Sequence, residues 1–320
     1  MKTILITGAT GFLGRNIIAR LSGRPDIKLR LGTRRPRPAG QPGVEYVKTD
    51  YDDPQTLLAA TAGADAVLHL AAAVAATSYE EFEKANVQPT RALVSACARQ
   101  ECSVKTFVLA SSLAAAGASP DAASPRTETQ PEAPVSDYGR TKLAAERELA
   151  NLPDRVRRVI LRPAVVYGKN DAGIDTLAAW VRRGLMLSAG PADTKFSFIF
   201  VEDAADCFIT ALDNADRLNG GKFFICEPRA YSWEYFISTM AIAMHKPTPI
   251  IATLPPAVVK FAGNVYGKLA ALTGAKPVFN ADKAREAGAG NWTASPAAWM
   301  NASGKTGWVT LADGLRKTFS

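Results

Sequence analysis

Tyr138 and Lys142 stand four residues apart in a stretch whose pattern predicts a helix over Tyr138–Ala150, so both side chains project from one face. A free tyrosine ionises near pH 10, too high for an efficient base at neutrality, but a neighbouring ammonium favours the phenolate. Ser112 follows an expected strand over Thr106–Ala110 and can donate a hydrogen bond to the oxygen with which Tyr138 exchanges a proton. The three residue types suit proton transfer to or from a carbonyl or alcohol oxygen. Tyr-x-x-x-Lys is also a common start of an ordinary amphipathic helix, so the surroundings must decide.

The decisive surroundings lie at the N-terminus. Residues 7–14 read Thr-Gly-Ala-Thr-Gly-Phe-Leu-Gly, directly after an apolar run and directly before a helical pattern. Gly8, Gly11 and Gly14 at this spacing permit a tight turn, close backbone approach to a pyrophosphate and close helix–strand contact. Thr10, Phe12 and Leu13 complete a loop that presents a helix N-terminus to phosphate. A dinucleotide supplies what Tyr138 lacks, a hydride partner at the nicotinamide. The end of the second strand separates the two common dinucleotides: a carboxylate there binds the ribose 2′-hydroxyl of NAD, an arginine the 2′-phosphate of NADP. This sequence has Gly32-Thr33-Arg34-Arg35 and no acid until Glu45. Thr33, Arg34 and Arg35 therefore indicate NADP(H), with NAD(H) as the second choice. Asp50, beside Tyr51 after the third strand, is expected to accept from the adenine amino group.

These residues need a scaffold that brings strand ends together. Short β-rich runs at Lys2–Thr7, Ile27–Gly32, Val44–Thr49, Ala66–Leu70, Thr106–Ala110 and Arg157–Leu161 alternate with helical patterns at Phe12–Ser22, after Asp53-Pro54, at Tyr79–Arg99 and at Tyr138–Ala150. Such alternation predicts an α/β protein: a Rossmann doubly wound parallel sheet covered on both faces. After Pro163 the pattern loosens, and a smaller, mostly helical C-terminal substrate lobe is expected at the carboxyl ends of the strands. Residues 1–165 and 196–228 are assigned to the dinucleotide domain, 166–195 and 229–320 to the substrate lobe.

The motifs taken in order carry a resemblance. The glycine loop, His69-Leu70-Ala71-Ala72, Asn86-Val87, Ser111-Ser112, Tyr138-Gly139-Arg140-Thr141-Lys142 and Arg162-Pro163-Ala164-Val165-Val166-Tyr167-Gly168 resemble those of extended short-chain dehydrogenases/reductases, across at least residues 1–228. The resemblance implies that Ser112 rather than Ser111 faces the substrate and that Lys142 also holds the nicotinamide-ribose hydroxyls. It further implies that Leu70, Ala71 and Ala72 line the ribose and diphosphate path, that Asn86 steadies the strand ends, and that Pro163, Val165 and Val166 pass the carboxamide. A homodimer joined by a four-helix bundle of Tyr79–Arg99 and Tyr138–Ala150 is a further implication. His69 reads as a structural residue of a buried strand, and His245 as surface or packing.

Substrate is read from departures. Where nucleotide-sugar dehydratases carry an acid pair after the active-site hydroxyl, this chain has Leu113-Ala114-Ala115-Ala116, and Ala116 replaces a tyrosine that many sugar epimerases carry. The stretch Gly274–Arg285, Trp292 and the closing Asp313-Gly314-Leu315-Arg316-Lys317-Thr318 resemble the 3β-hydroxysteroid dehydrogenase and dihydroflavonol reductase branch. The apolar segment Ile250–Leu272, cut by Pro255-Pro256, suggests a lid for a hydrophobic substrate, with peripheral membrane contact through Lys260 and Lys268. The expected activity is hydride transfer between NADP(H) and a ketone or secondary alcohol of an apolar molecule. A nucleotide-sugar epimerase holding NAD is the alternative, and a dinucleotide-sensing regulator without catalysis is a third reading.

Composition excludes more than it selects. The 320 residues are 47% hydrophobic and 21% charged, ordinary for a globular protein. The formal charge of +8 has no nucleic-acid motif behind it, and much of the excess sits in Arg30, Arg34, Arg35 and Arg37. Four cysteines without metal-type spacing read as reduced thiols, so no metal site and a cytoplasmic location are expected. No apolar run is long enough to insert stably in a membrane.

Overall fold

The computed structural model describes residues 1–35, 42–120, 123–255, 257–258 and 281–320. Arg37 and most of the apolar segment beyond Pro255, with Lys260 and Lys268, lie outside the described residues. Seven parallel strands form the main sheet: β1 (Lys2–Thr7), β2 (Ile27–Thr33), β3 (Val44–Lys48), β4 (Ala66–His69), β5 (Thr106–Ala110), β6 (Arg157–Pro163) and β10 (Lys222–Ile225), in the order β10-β6-β5-β4-β1-β2-β3. The order reverses between β1 and β4, which opens a crevice at their carboxyl ends.

Alternation along each strand assigns the two faces. Ile4 and Ile6 of β1, with Leu29, Leu31, Val108 and Leu161, pack against α1 (Phe12–Leu21) and α6 (Val201–Asp213). Leu5, Val67, Phe107 and Leu109 face the other way, onto α2 (Pro54–Thr61) and α3 (Tyr79–Ala98). Beside α3 runs α4 (Asp137–Glu148), started by Ser136, whose hydroxyl accepts from the Gly139 amide. Asp53 caps α2 with Pro54 in its first turn, as that dipeptide predicts.

The second lobe contains more sheet than its sequence suggests. β7 (Val165–Tyr167), β9 (Lys195–Phe200) and β11 (Ala230–Ser232) make a three-stranded sheet, and β8 (Leu185–Ser188) pairs with β12 (Ile250–Thr253). β9 thus pairs within this smaller sheet, while α6 and β10 return to the main one. With these strands go α5 (Ala172–Arg182), α8 (Trp233–Ala243), α9 (Ala281–Ala287) and α11 (Leu311–Phe319), while α7 (Ala215–Leu218) and α10 (Ala297–Ser303) pack on β6 and β10 of the main sheet. The lobe's own core gathers Tyr167, Phe198, Phe200, Phe236 and Leu315. Among the described residues no helix is long and apolar enough to cross a membrane.

Candidate active site

The loop after β1 is shaped by close approach. Gly8 has φ +72°, and a Cβ there would stand 2.6 Å from the Ala71 nitrogen. Only glycine reconciles that backbone with the 70–72 turn after β4. Thr10 is exposed at the loop tip, and Gly11 starts α1 without offering a side-chain acceptor. The first amides of α1 therefore stay available to an anion. Phe12 and Leu13 turn into the second lobe's core, so the phosphate loop and that lobe share packing. This cradle fits a dinucleotide pyrophosphate.

Past β2, Arg34 and Arg35 are exposed, and neither forms an ion pair among the described residues. The Arg35 amide donates to the Thr33 hydroxyl at 3.3 Å. Arg30 serves a different purpose: its guanidinium pairs with Glu45 at 2.5 Å and donates to the Ala60 and Ala62 carbonyls. The basic cluster of the sequence thus divides into a structural arginine and two open ones. After β3 the Asp50 carboxylate pairs with Lys48 at 3.6 Å and accepts from the Asp52 amide at 3.2 Å, and the hydroxyl of neighbouring Tyr51 reaches Thr7. Burial pushes the Tyr51 phenol up to about 12.

His69 is structural, as expected. Its Nδ1 meets the Thr7 hydroxyl at 2.6 Å and its Nε2 the Thr90 hydroxyl at 3.1 Å. Burial, aided by the Lys142 charge, drives its pKa down to about 3 and keeps the ring neutral. Asn86 is buried and accepts from the Ala73 amide at 2.7 Å while donating to the Thr141 hydroxyl at 3.1 Å. It ties the loop after β4 to the helix that carries Tyr138.

Ser111 and Ser112 are told apart by their partners. The buried Ser111 hydroxyl donates to Glu146 at 2.5 Å, whereas Ser112 is only half-buried and its side chain meets that of Tyr138. Burial raises the Tyr138 pKa; Lys283 and the Ser112 hydrogen bond pull it down, and Glu286 works against them. Lys142 is 3% exposed, and its ammonium donates to the Ala110 carbonyl at 2.5 Å. Burial lowers its pKa to about 8, against a raising influence from Glu146. Pro163 ends β6 in the core, Val166 is half-buried, and Val165 of β7 is 41% exposed.

Several residues here escaped the sequence reading. Gly139 is one: a Cβ on it would stand 2.3 Å from the Ala114 carbonyl oxygen, so its bareness lets α4 approach the Ser112 turn. Gly139→Ala is expected to push Tyr138 away from Ser112, cutting kcat about 100-fold while dinucleotide affinity stays within about twofold. Unchanged kcat in steady-state assays would count against this packing argument. Glu146, Arg162, Asp282 and Lys283 are the others, each brought in by contacts far apart in sequence.

Residues 4–226 match the model of the NAD dependent epimerase/dehydratase family. A ceramide reductase of Caulobacter vibrioides is 28% identical over 323 residues, covering 98% of this chain and 92% of that protein. A UDP-glucose 4-epimerase of Vibrio cholerae is 26% identical over 276 residues, covering 83% of each. Among solved structures, a human epimerase family protein with NADPH superposes with a TM-score of 0.78 at 21% identity, over 99% of both chains.

Proposed function

The chain belongs to the NAD dependent epimerase/dehydratase family and is an enzyme of the extended short-chain dehydrogenase/reductase type, and from that premise we propose that it is an NADP(H)-dependent reductase or dehydrogenase of a ketone or secondary alcohol in a largely apolar molecule. The observation that carries the reading is the Ser112–Tyr138–Lys142 set beside two open arginines at the end of β2. Ser112 orients the substrate oxygen, and Tyr138 gives or takes its proton. Lys142 supplies positive charge beside the phenol and holds the ribose. A nicotinamide held there would supply the hydride chemistry. Arg34 and Arg35 bind the 2′-phosphate, and Asp50 meets the adenine.

The wall past Ser112 favours an apolar substrate. Leu113, Ala114 and Ala116 are buried in one small cluster with Phe224, Cys226 and Trp292, with Val135, Tyr138 and Ala164 packed against it. Positions 113–116 carry no acid or base, so elimination chemistry lacks a group there. The ceramide reductase supports the same reading, since its named substrate class is a lipid. The UDP-glucose 4-epimerase keeps a sugar-nucleotide reading in second place.

Titration of nicotinamide fluorescence tests the cofactor half. Replacing both Arg34 and Arg35 by alanine is expected to weaken NADPH binding by about 10- to 100-fold, at roughly 1.5–3 kcal/mol for hydrogen bonds to a charged group, and to leave NADH binding nearly unchanged. Equal affinities for both dinucleotides in the native protein would move the NAD-bound epimerase to first place.

A further inference from the structure

The short helix α9 is fastened to the head of α4. Asp282 accepts from the backbone amides of Asp137 at 2.7 Å and Tyr138 at 3.1 Å. The Ser136 hydroxyl donates to Glu286 at 2.7 Å, and the Arg285 guanidinium pairs with both Asp137 and Asp282. These contacts satisfy the first amides of the helix that bears Tyr138. They also deliver one cation to its ring: the Lys283 ammonium lies 5.2 Å from the ring centroid.

We propose that Lys283 is a positioning residue for Tyr138, holding its ring and stabilising its phenolate, so that docking of α9 readies the proton-transfer group. This rests on the role given above to Tyr138. A cation over an aromatic face is attracted to the ring, and more strongly once the ring carries negative charge. Around Tyr138, from α4 come Asp137, held by Arg140 and Arg285, and Lys142, held by the Ala110 carbonyl. From the turn after β5 comes Ser112, and from α3 the Phe82 ring, its centroid 5.9 Å away. From α9 come Asp282, Arg285, Lys283 and Glu286, and Glu286 holds the Lys283 ammonium at 2.6 Å. Asp282 faces backbone amides, so of the α9 charges it is Lys283 that lies over the ring. Glu286 orients that ammonium and partly offsets it. The cation over the Tyr138 ring is thus brought from a distant part of the chain, 145 residues on from the tyrosine, while Lys142 of the same helix is held by the Ala110 carbonyl.

The test needs no substrate. Tyrosinate absorbance is titrated for the native protein and for Tyr138→Phe, the difference giving the ionisation of Tyr138 alone. The pair is then repeated with Lys283→Met and Lys283→Arg. The Met variant keeps the chain length and leaves Asp282, Arg285 and Glu286 to dock α9, and dinucleotide binding checks its fold. The ionisation is expected to move up by about one pH unit with Met and to return with Arg. The alkaline limb of carbonyl reduction should move the same way. An unmoved ionisation with Met overturns the proposal, and so does a shift that Arg fails to restore, which would mark a packing role. Because the titration is independent of turnover, it separates this proposal from the reductase reading.

Discussion

Tyr138→Phe is expected to abolish turnover by roughly 10²–10⁴-fold, the ordinary worth of a positioned acid or base, while dinucleotide affinity changes by less than about threefold. The phenol ring would keep its packing beside Phe82 and under Lys283. Only the oxygen that meets Ser112 is lost, so the deficit should fall in kcat rather than in binding. Single-turnover reduction with bound NADPH, followed by nicotinamide absorbance, checks the chemical step directly. Retained turnover would dismiss Tyr138 as the proton donor. Retained biological activity without turnover would instead favour a dinucleotide sensor.

The pH profile follows from the same environment. Reduction needs Tyr138 protonated, and burial, the largest influence on it, keeps the proton on. Lys283 and the Ser112 hydrogen bond oppose burial without overcoming it. Reductive kcat is therefore expected to be flat up to the ordinary phenol value of 10 and to fall only above it, as the phenol ionises. Alcohol oxidation should rise over that range, since it needs the phenolate.

How much of this was legible in the sequence depended on distance along the chain. The Gly8–Gly14 loop, the Tyr138/Lys142 spacing and the alternation of β1, β2, β4 and β5 are local signals, and each element formed within a residue or two of its expected place. The preference for Ser112 over Ser111 came through resemblance, and its physical cause is Glu146, thirty-five residues on from Ser111. β7 and β8 were missed because strands of three and four residues carry too little periodicity to read. Arg30 was grouped with Arg34 and Arg35 because neighbours in sequence share a charge, whereas in the sheet Arg30 is paired with Glu45 across β2 and β3. The hold of α9 on α4 joins residues about 145 positions apart and leaves no local trace.

Glu146→Gln should be the most damaging substitution for the scaffold, at about 3–5 kcal/mol for breaking a buried ion pair from one side. The Glu146 side chain is 4% exposed and that of Arg162 1%. One carboxylate oxygen takes the Ser111 hydroxyl at 2.5 Å and Arg162 Nε at 2.8 Å, and the other takes the guanidinium again at 2.6 Å. A glutamine would aim an amide N–H₂ at a guanidinium or a hydroxyl proton and leave Arg162 with Glu132 alone, a carboxylate already shared with Lys222. That residual pairing places the loss at the lower end of the range. Thermal unfolding should show a midpoint lower by several degrees, about 2 °C per kcal/mol for a chain of this size. A second signature lies in Lys142, one turn before Glu146. Native Lys142 titrates near 8 and the unfolded side chain near its ordinary 10.5. The unfolded chain thus binds more protons between those values, and this group's contribution to stability rises with pH across that window. Removing Glu146 takes away the charge that favours the ammonium, so the window should open at lower pH in the variant. An unchanged midpoint together with an unchanged alkaline profile would mean that the buried pair is worth no more than the packing around it, and that Lys142 keeps its proton without help from Glu146.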